Sequence, residues 1–370
     1  MLMNIPDSLP CITDTDRCRR VLFLDKVFLK PRKTNLRGVE LFNLTLIQDL
    51  ARDGFSLTIP IHYSWKNDFK HGPASCPPVF CEASGRATLL NGLLAAWRLR
   101  RQRYQKIILA NVANGLIPAI LLMRIFNRPL PLIVFAHRMP SARFRAALPK
   151  KTTRVICVNG IIAAEFKKSG FRDVKVLFGH MNAAKFFPAG DARTKADSDK
   201  AINFCVVGFL DNAWKGADTA VAAFRSMPKD ISAKCRLHLA SYRLPPSFPE
   251  QNIRAYAWLP TGAIPQWLRQ MNVMIVPSRD EHVMRETFSL TMVEGMLTGL
   301  PIIASNLPVL AEKLDAGGGY VFKSTEELSR LMADLASNPE LRAELGQQAR
   351  KIALERYVWD AKKFISRYLI

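Results

Sequence analysis

The chain has 370 residues, nearly half of them apolar, which excludes a disordered or collagen-like chain and is enough for two domains that each bury a core. Its formal net charge of +22 is unevenly placed: residues 1–185 hold 30 Lys/Arg against 11 Asp/Glu, and residues 186–370 hold 23 against 20. A field of one sign over one half attracts an anionic partner there, whether nucleic acid, an anionic membrane surface or an acidic acceptor. The seven cysteines carry no metal spacing, with Cys76 and Cys81 the one close pair, so reduced thiols in a cytosolic protein are expected rather than a disulfide framework. Met1 to Cys18 lacks the apolar run of a signal peptide. The most apolar window, Ile107 to Met123, is broken by Asn111, Asn114, Gly115 and Pro118. It reads as strand, polar loop and buried helix, not as a membrane span.

Arg20 to Leu24 is the first predicted strand. Apolar spacing then predicts a helix from Gly38 to Leu50, closed by Gly54 before a strand from Ser56 to Ile59. Alternation continues: helix 87–103, strand 106–110, helix 116–126, strand 131–136, strand 153–158, helix 161–169 and strand 174–176. Such a series implies a parallel, doubly wound sheet with ligand loops at the strand C-termini. The polar stretch Ala189 to Lys200 has the composition of a linker, and a second series opens at Asn203-Phe-Cys-Val-Val-Gly208.

The most informative stretch is Glu286-Thr-Phe-Ser-Leu-Thr-Met-Val-Glu294. A buried strand, Val273 to Val276, and a Pro277-Ser278 break precede it. The helix carrying Glu294 stops at Gly299 before Pro301, and a strand at Ile302 follows. One acid therefore stands at a loop tip and the other inside a helix. The N–H groups of Thr287, Phe288, Ser289 and Leu290 are placed where a helix N-terminus favours phosphate. These residues, with Gly299-Leu-Pro301-Ile-Ile-Ala-Ser305, resemble the donor-site signature of glycosyltransferase family 4, of GT-B fold.

That resemblance implies an α/β architecture of two Rossmann-like domains facing across a cleft. Residues 1–188 would form an acceptor domain with an extension at 1–18, and 189–200 a linker. Residues 201–357 would form the nucleotide-sugar domain, and a last helix within 358–370 would cross back. It implies that Glu294 accepts from the ribose hydroxyls and Glu286 from the sugar ring. Lys215, in the loop Gly208 to Asp218, would hold the donor diphosphate. Phe209 stands where the family places an arginine, a loss worth about 1–3 kcal/mol unless Arg285 or Arg138 replaces it. Ser289 replaces the family's loop glycine. Gly38 matches the family's acceptor and phosphate turn, of which one glycine survives here. His137, closing the strand Pro131 to Ala136, matches the histidine placed near the transferred sugar.

Trp97, Arg98, Arg100, Arg101 and Arg103 end an amphipathic helix that suits an anionic membrane surface. Asp14-Thr-Asp16 and Asp197-Ser-Asp199 follow no strand, so no metal is expected. The substrate implied is a nucleotide-diphosphate sugar of UDP or GDP type, with no cofactor. The acceptor implied is an anionic glycan or lipid at the cytoplasmic face of the inner membrane, lipopolysaccharide core or another lipid-linked glycan. Charge alone would favour nucleic acid, but no nucleic-acid module is present, so none is expected as a partner. The alternative from another class is a GT-B scaffold or binding protein that has lost turnover.

Overall fold

The computed structural model describes residues 20–30, 38–62, 64–65, 79–83, 93, 96–97, 104–126, 131–177, 181, 183–189, 201–241, 248, 250–257, 259, 262–280 and 286–369. The chain divides into two compact units, residues 1–177 with 361–370, and residues 178–360.

The first unit holds a seven-stranded sheet in the order β3-β2-β1-β4-β5-β6-β7. Its strands are β1 (Arg20–Leu24), β2 (Ser56–His62), β3 (Val79–Ala83), β4 (Lys106–Leu109), β5 (Leu132–Ala136), β6 (Thr153–Cys157) and β7 (Asp173–Val176). Neighbouring strands pair in parallel throughout. The sequence explains this. Val-Leu-Phe-Leu in β1 and Leu-Ile-Val-Phe-Ala in β5 are continuous apolar runs, buried along their length as a parallel sheet covered on both faces requires. The helix Gly38–Arg52 returns β1 to β2, and Gly54 at φ 82 turns the chain out of it, donating to the Ala51 carbonyl at 3.1 Å. The strand order reverses between β1 and β4.

Three features depart from expectation. The strand β3 has no counterpart in the predicted series, because five residues after Pro77-Pro78 offer too short a pattern. A short helix, Ala142–Ala147, is capped by Ser141, whose hydroxyl accepts from Phe144 N at 3.1 Å. The helix Ile117–Phe126 is not the buried helix its hydropathy suggests. Ala119, Ile120 and Met123 are buried, whereas Leu121, Ile125 and Phe126 stand exposed. Its sequence is apolar at every position but Arg124, so periodicity could not tell an inner face from an outer one. Most of the helix expected at 87–103 lies outside the described residues, although Leu93, Ala96 and Trp97 are helical.

The second unit is a six-stranded parallel sheet in the order β10-β9-β8-β11-β12-β13. The strands are β8 (Ile202–Gly208), β9 (Cys235–Ser241), β10 (Ile253–Ala257), β11 (Val273–Val276), β12 (Ile302–Ser305) and β13 (Gly319–Phe322). Phe204, Leu237, Leu239, Ile275, Ile303, Phe224 and Met332 are fully enclosed between the sheet and its helices. Strand order reverses between β8 and β11, and in open α/β sheets that reversal opens the crevice in which ligands bind. The cysteines Cys157, Cys205 and Cys235 are buried thiols. Among the described residues, no helix is long and apolar enough to cross a membrane.

The end of the chain belongs to the first unit. The helix Ala361–Phe364 and the π-helical turn Ile365–Leu369 place Phe364 against Phe135 at 5.6 Å and Tyr368 at 5.5 Å between ring centroids. Arg154 ties the segment down, donating to the Tyr368 carbonyl at 2.7 Å and to Asp173 Oδ2 at 2.6 Å. Phe364 is 1% exposed. Phe364→Ala is therefore expected to destabilise the first unit by about 3–5 kcal/mol, read as a lower denaturant midpoint at unchanged slope.

Candidate functional site

Two loops leave the C-terminal ends of β8 and β11 and meet at the reversal of strand order. The first runs from Gly208 through a single 3-10 turn, Ala213–Lys215. Gly208 has φ 152 and lies under the Lys215 side chain. Gly216 ends the turn at φ 68, and a Cβ there would stand 1.9 Å from the Pro277 carbonyl oxygen. Only glycine allows this loop to lie against the end of β11. Arg279 fastens it from the other side: its Nη2 donates to the Ala213 carbonyl at 2.7 Å and to Asp218 at 2.9 Å, and its N–H to the Trp214 carbonyl at 2.7 Å.

The second loop carries Glu286, whose buried carboxylate accepts three bonds. Lys215 Nζ reaches Oε2 at 2.6 Å, Ser278 Oγ donates to the same oxygen at 3.2 Å, and Ser289 N donates to Oε1 at 3.1 Å. Ser278 is itself fixed, since its carbonyl accepts from Ser305 Oγ at 2.5 Å. The Lys215 ammonium lies 4.5 Å from the centre of the Trp214 ring. A small cavity between the strand ends is lined by Val207, Lys215, Pro277, Ser278 and Thr291.

The helix N-terminus begins later than expected. The helix runs Leu290–Leu297, and Ser289 before it adopts φ 56 and ψ 74. The N–H of Ser289, expected to face a phosphate, is used by Glu286 instead, because the left-handed turn directs it back onto the loop. The free donors of the first turn are therefore those of Leu290, Thr291 and Met292. Serine at positive φ costs about 1–3 kcal/mol, and Ser289 Oγ is buried without a hydrogen-bond partner among the described residues. Thr287 is half-buried; Phe288 is buried. At the far end of this helix, Arg350 donates to the Leu297 carbonyl, a cation on a helix C-terminus.

Glu294 sits one turn into the helix, and no group among the described residues hydrogen-bonds its carboxyl. It keeps partial exposure, yet burial pushes its pKa up to about 8. Lys313, with no signal in the sequence, is 1% exposed. Its Nζ donates to the Val309 carbonyl at 2.9 Å and stands 4.6 Å from the Phe288 ring centre and 5.6 Å from that of Tyr357. Burial lowers its pKa to about 8 against the opposing pull of Glu312 and Glu286. It is a buried cation under the ring that follows Glu286 and Thr287.

In the first unit, His137 closes β5, stacked 6.1 Å from Phe135 and edge-on to Phe42 at 5.5 Å. Burial lowers its pKa to about 4, so it is a neutral imidazole near pH 7. Arg138 donates Nε and Nη2 to the Val112 carbonyl at 3.2 and 2.8 Å. Gly38 opens the helix Gly38–Arg52. Asp25, which the sequence did not single out, lies buried at the end of β1. It accepts from Val27 N at 2.9 Å and Asn43 Nδ2 at 2.5 Å, and burial outweighs both to raise its pKa to about 6. Trp97 is described and exposed. Arg98, Arg100, Arg101, Arg103 and Arg285 lie outside the described residues. No cluster of metal ligands occurs among the described residues.

Residues 191–352 match the family described as "Glycosyl transferases group 1". An uncharacterized glycosyltransferase of Methanocaldococcus jannaschii is 24% identical over 213 residues, 53% of this chain and 52% of the relative. The match thus spans about half the length of that relative. Among solved structures, Anabaena HepE in complex with UDP is 16% identical, covering 94% of this chain and 98% of that one at a TM-score of 0.69. WaaG, a glycosyltransferase involved in lipopolysaccharide biosynthesis, is 14% identical, covering 93% and 98% at a TM-score of 0.64. At these identities the likeness shows the fold, which is that of the GT-B glycosyltransferases.

Two measurements test the site as described. Ser289→Gly is expected to raise stability by about 1 kcal/mol, since relief of the left-handed strain and of the buried hydroxyl exceeds the added chain entropy of glycine; a lower thermal midpoint would contradict it. For Glu294, the unfolded chain loses its proton near the ordinary glutamate value of 4.5 and the folded chain near 8. Stability therefore falls as pH rises through that window, and Glu294→Gln is expected to flatten the fall in a pH series of denaturant melts.

Proposed function

Residues 191–352 match the glycosyl transferases group 1 family, and from that premise we propose that the chain is a retaining glycosyltransferase. It would move a sugar from a nucleotide-diphosphate donor of UDP or GDP type to a hydroxyl of an anionic, lipid-linked glycan or lipid. The observation that carries this reading is the meeting of Lys215 and Glu286 at the reversal between β8 and β11, with the open carboxyl of Glu294 on the adjoining helix.

The chemistry follows from what each group can still offer. An ammonium has three donors, and Lys215 gives one to Glu286, leaving two for a diphosphate. The first-turn N–H groups of the helix Leu290–Leu297 add the positive end of a helix dipole beside it. Glu294, holding its proton near pH 7, offers one donor and one acceptor oxygen to the vicinal hydroxyls of a ribose. Glu286 has lone pairs left for a sugar hydroxyl while it holds Lys215 in place.

In the transfer, the bond from the anomeric carbon to the diphosphate oxygen breaks. The acceptor hydroxyl attacks from the same face, and its proton passes to the departing oxygen. The protein's contribution is stabilisation of charge on that oxygen, by Lys215 and the helix terminus. His137, as a neutral imidazole, is assigned to hydrogen-bond the sugar or the attacking hydroxyl. Gly38 and Arg138 are assigned to the acceptor side. No metal takes part in this scheme.

UDP as the nucleotide is favoured by the UDP complex of HepE, and an envelope glycan as acceptor by the likeness to WaaG and the basic first half of the chain. A peripheral position on the cytoplasmic face of the membrane belongs to the same proposal. Phe209, where the resemblance implies an arginine, favours a second reading as a binding protein without turnover.

The test is binding and slow hydrolysis across a panel of UDP-, GDP- and ADP-sugars, with wild type beside Glu294→Ala. One nucleotide sugar is expected to bind, to hydrolyse with retained anomeric configuration by NMR, and to bind at least about tenfold more weakly to the variant. Binding with no turnover in the presence of candidate acceptors would favour the second reading. No binding to any donor by the folded protein would overturn the transferase reading and favour a scaffold that keeps the fold.

A further inference from the structure

The outer face of the helix Ile117–Phe126 is apolar and faces solvent. Leu121 is 43% exposed, Ile125 63% and Phe126 44%, while Ala119, Ile120 and Met123 fill the inner face. Trp97, 52% exposed, stands edge-on to Phe126 with ring centroids 6.4 Å apart. These are four of the seven large apolar side chains exposed among the described residues, gathered at one place. A helix of a water-soluble fold turns polar side chains outward, and one that is apolar all round meets either a partner or a non-aqueous medium.

The charge of the flanking sequence selects between those. Arg124 is the one charged residue on the helix, Arg128 follows it, and Arg98, Arg100, Arg101 and Arg103 follow Trp97 in the sequence. From residue 83 to residue 164 there are 14 Lys/Arg and no Asp or Glu. Exposed aliphatic and aromatic side chains within a cation-rich, acid-free segment complement a bilayer carrying anionic headgroups. The apolar groups enter the headgroup–acyl boundary and the arginines meet the phosphates.

We propose that Leu121, Ile125, Phe126 and Trp97 form a docking surface that seats the chain on an anionic lipid bilayer. The helix spans ten residues, far too few to cross, so it would lie in the plane of the interface. The surface takes its purpose from the reading of a membrane-linked acceptor above, and extends it from the arginine-rich segment to a second element with a stated face.

The full chain is sedimented with vesicles of phosphatidylcholine alone or with about a third phosphatidylglycerol, at low and high salt, since surface charge attraction is screened within about 10 Å at 0.1 M. Wild type is expected to pellet with the anionic vesicles and not the neutral ones. Ile125→Ser/Phe126→Ser is expected to lower the partition coefficient at least about tenfold at an unchanged thermal midpoint and unchanged hydrolysis of a soluble donor. Should that variant unfold, quenching by brominated lipid in wild type against Trp97→Phe reads the same contact without touching the helix. Loss of quenching in Trp97→Phe supports the proposal. Wild type remaining in the supernatant with every vesicle overturns it, as does binding that neither substitution changes. A self-association that Ile125→Ser/Phe126→Ser abolishes, with vesicles ignored, would make the patch a protein interface and also overturn it. Because donor hydrolysis is assayed without lipid, failure of the catalytic reading and failure of the docking surface are separate results.

Discussion

The ion pair between Lys215 and Glu286 is the constraint around which the second unit is arranged. The two residues are 71 positions apart in sequence and meet at 2.6 Å because β8 and β11 are neighbours at the reversal of strand order. Both side chains are largely shielded from water, 13% and 9% exposed. Removing either partner alone would leave a poorly solvated charge, which is far costlier than losing an exposed pair. The surrounding structure follows from that. Gly216 lets the first loop approach Pro277, Arg279 fastens it, and Ser278, held by Ser305, supplies the hydroxyl that completes the Glu286 shell. Ser289 accepts a strained backbone so that its N–H reaches the other carboxylate oxygen.

The same architecture recurs in the first unit with different chemistry. There the reversal lies between β1 and β4, and Asp25 stands buried at the end of β1, while His137 closes β5. Burial acts on both in the direction that disfavours charge: Asp25 rises to about 6 and His137 falls to about 4. One sheet end thus presents an ion pair with spare donors, suited to phosphate. The other presents a neutral imidazole and a carboxylate whose charge burial disfavours, suited to hydroxyls. In each unit the sheet provides the place, and local burial decides which charge state survives there.

How much of this was legible in the sequence depended on the range of the interaction. The spacing of Glu286 and Glu294, the Lys215-Gly216 turn and the stop at Gly299-Pro301 are local patterns, so the loop–helix of the site could be laid out from them. The apolar runs of β1, β5, β8 and β11 are likewise local and gave the parallel architecture. Lys313, Arg279 and Asp25 left no trace, because each has its role only through residues brought in by the fold: Phe288 and Tyr357, Ala213 and Trp214, Asn43. The helix start was misplaced for a related reason. Composition marks 287–290 as a helix N-terminus, but the capture of the Ser289 N–H by Glu286 delays the helix to Leu290. The outer face of Ile117–Phe126 was unreadable because apolar residues at every position but Arg124 give no direction.

Phe209 and Lys313 bear on one another. The resemblance implies an arginine at 209, and its absence lowers the positive potential offered to a diphosphate by one guanidinium. Lys313 places a cation behind the neighbouring loop that carries Glu286, held by the Val309 carbonyl and the faces of Phe288 and Tyr357, and within the field of Glu286. A buried cation works over distance with little screening, so it need not touch an anion to favour it. It cannot replace the bidentate geometry of an arginine, which fixes orientation as well as charge. The expected consequence is a site that retains attraction for a diphosphate while orienting it through fewer direct bonds, leaving Lys215 and the first turn of the helix Leu290–Leu297 to set its position. On the proposed reading, the orientation that an arginine would have imposed comes from the sugar and ribose ends, to which Glu286 and Glu294 are assigned.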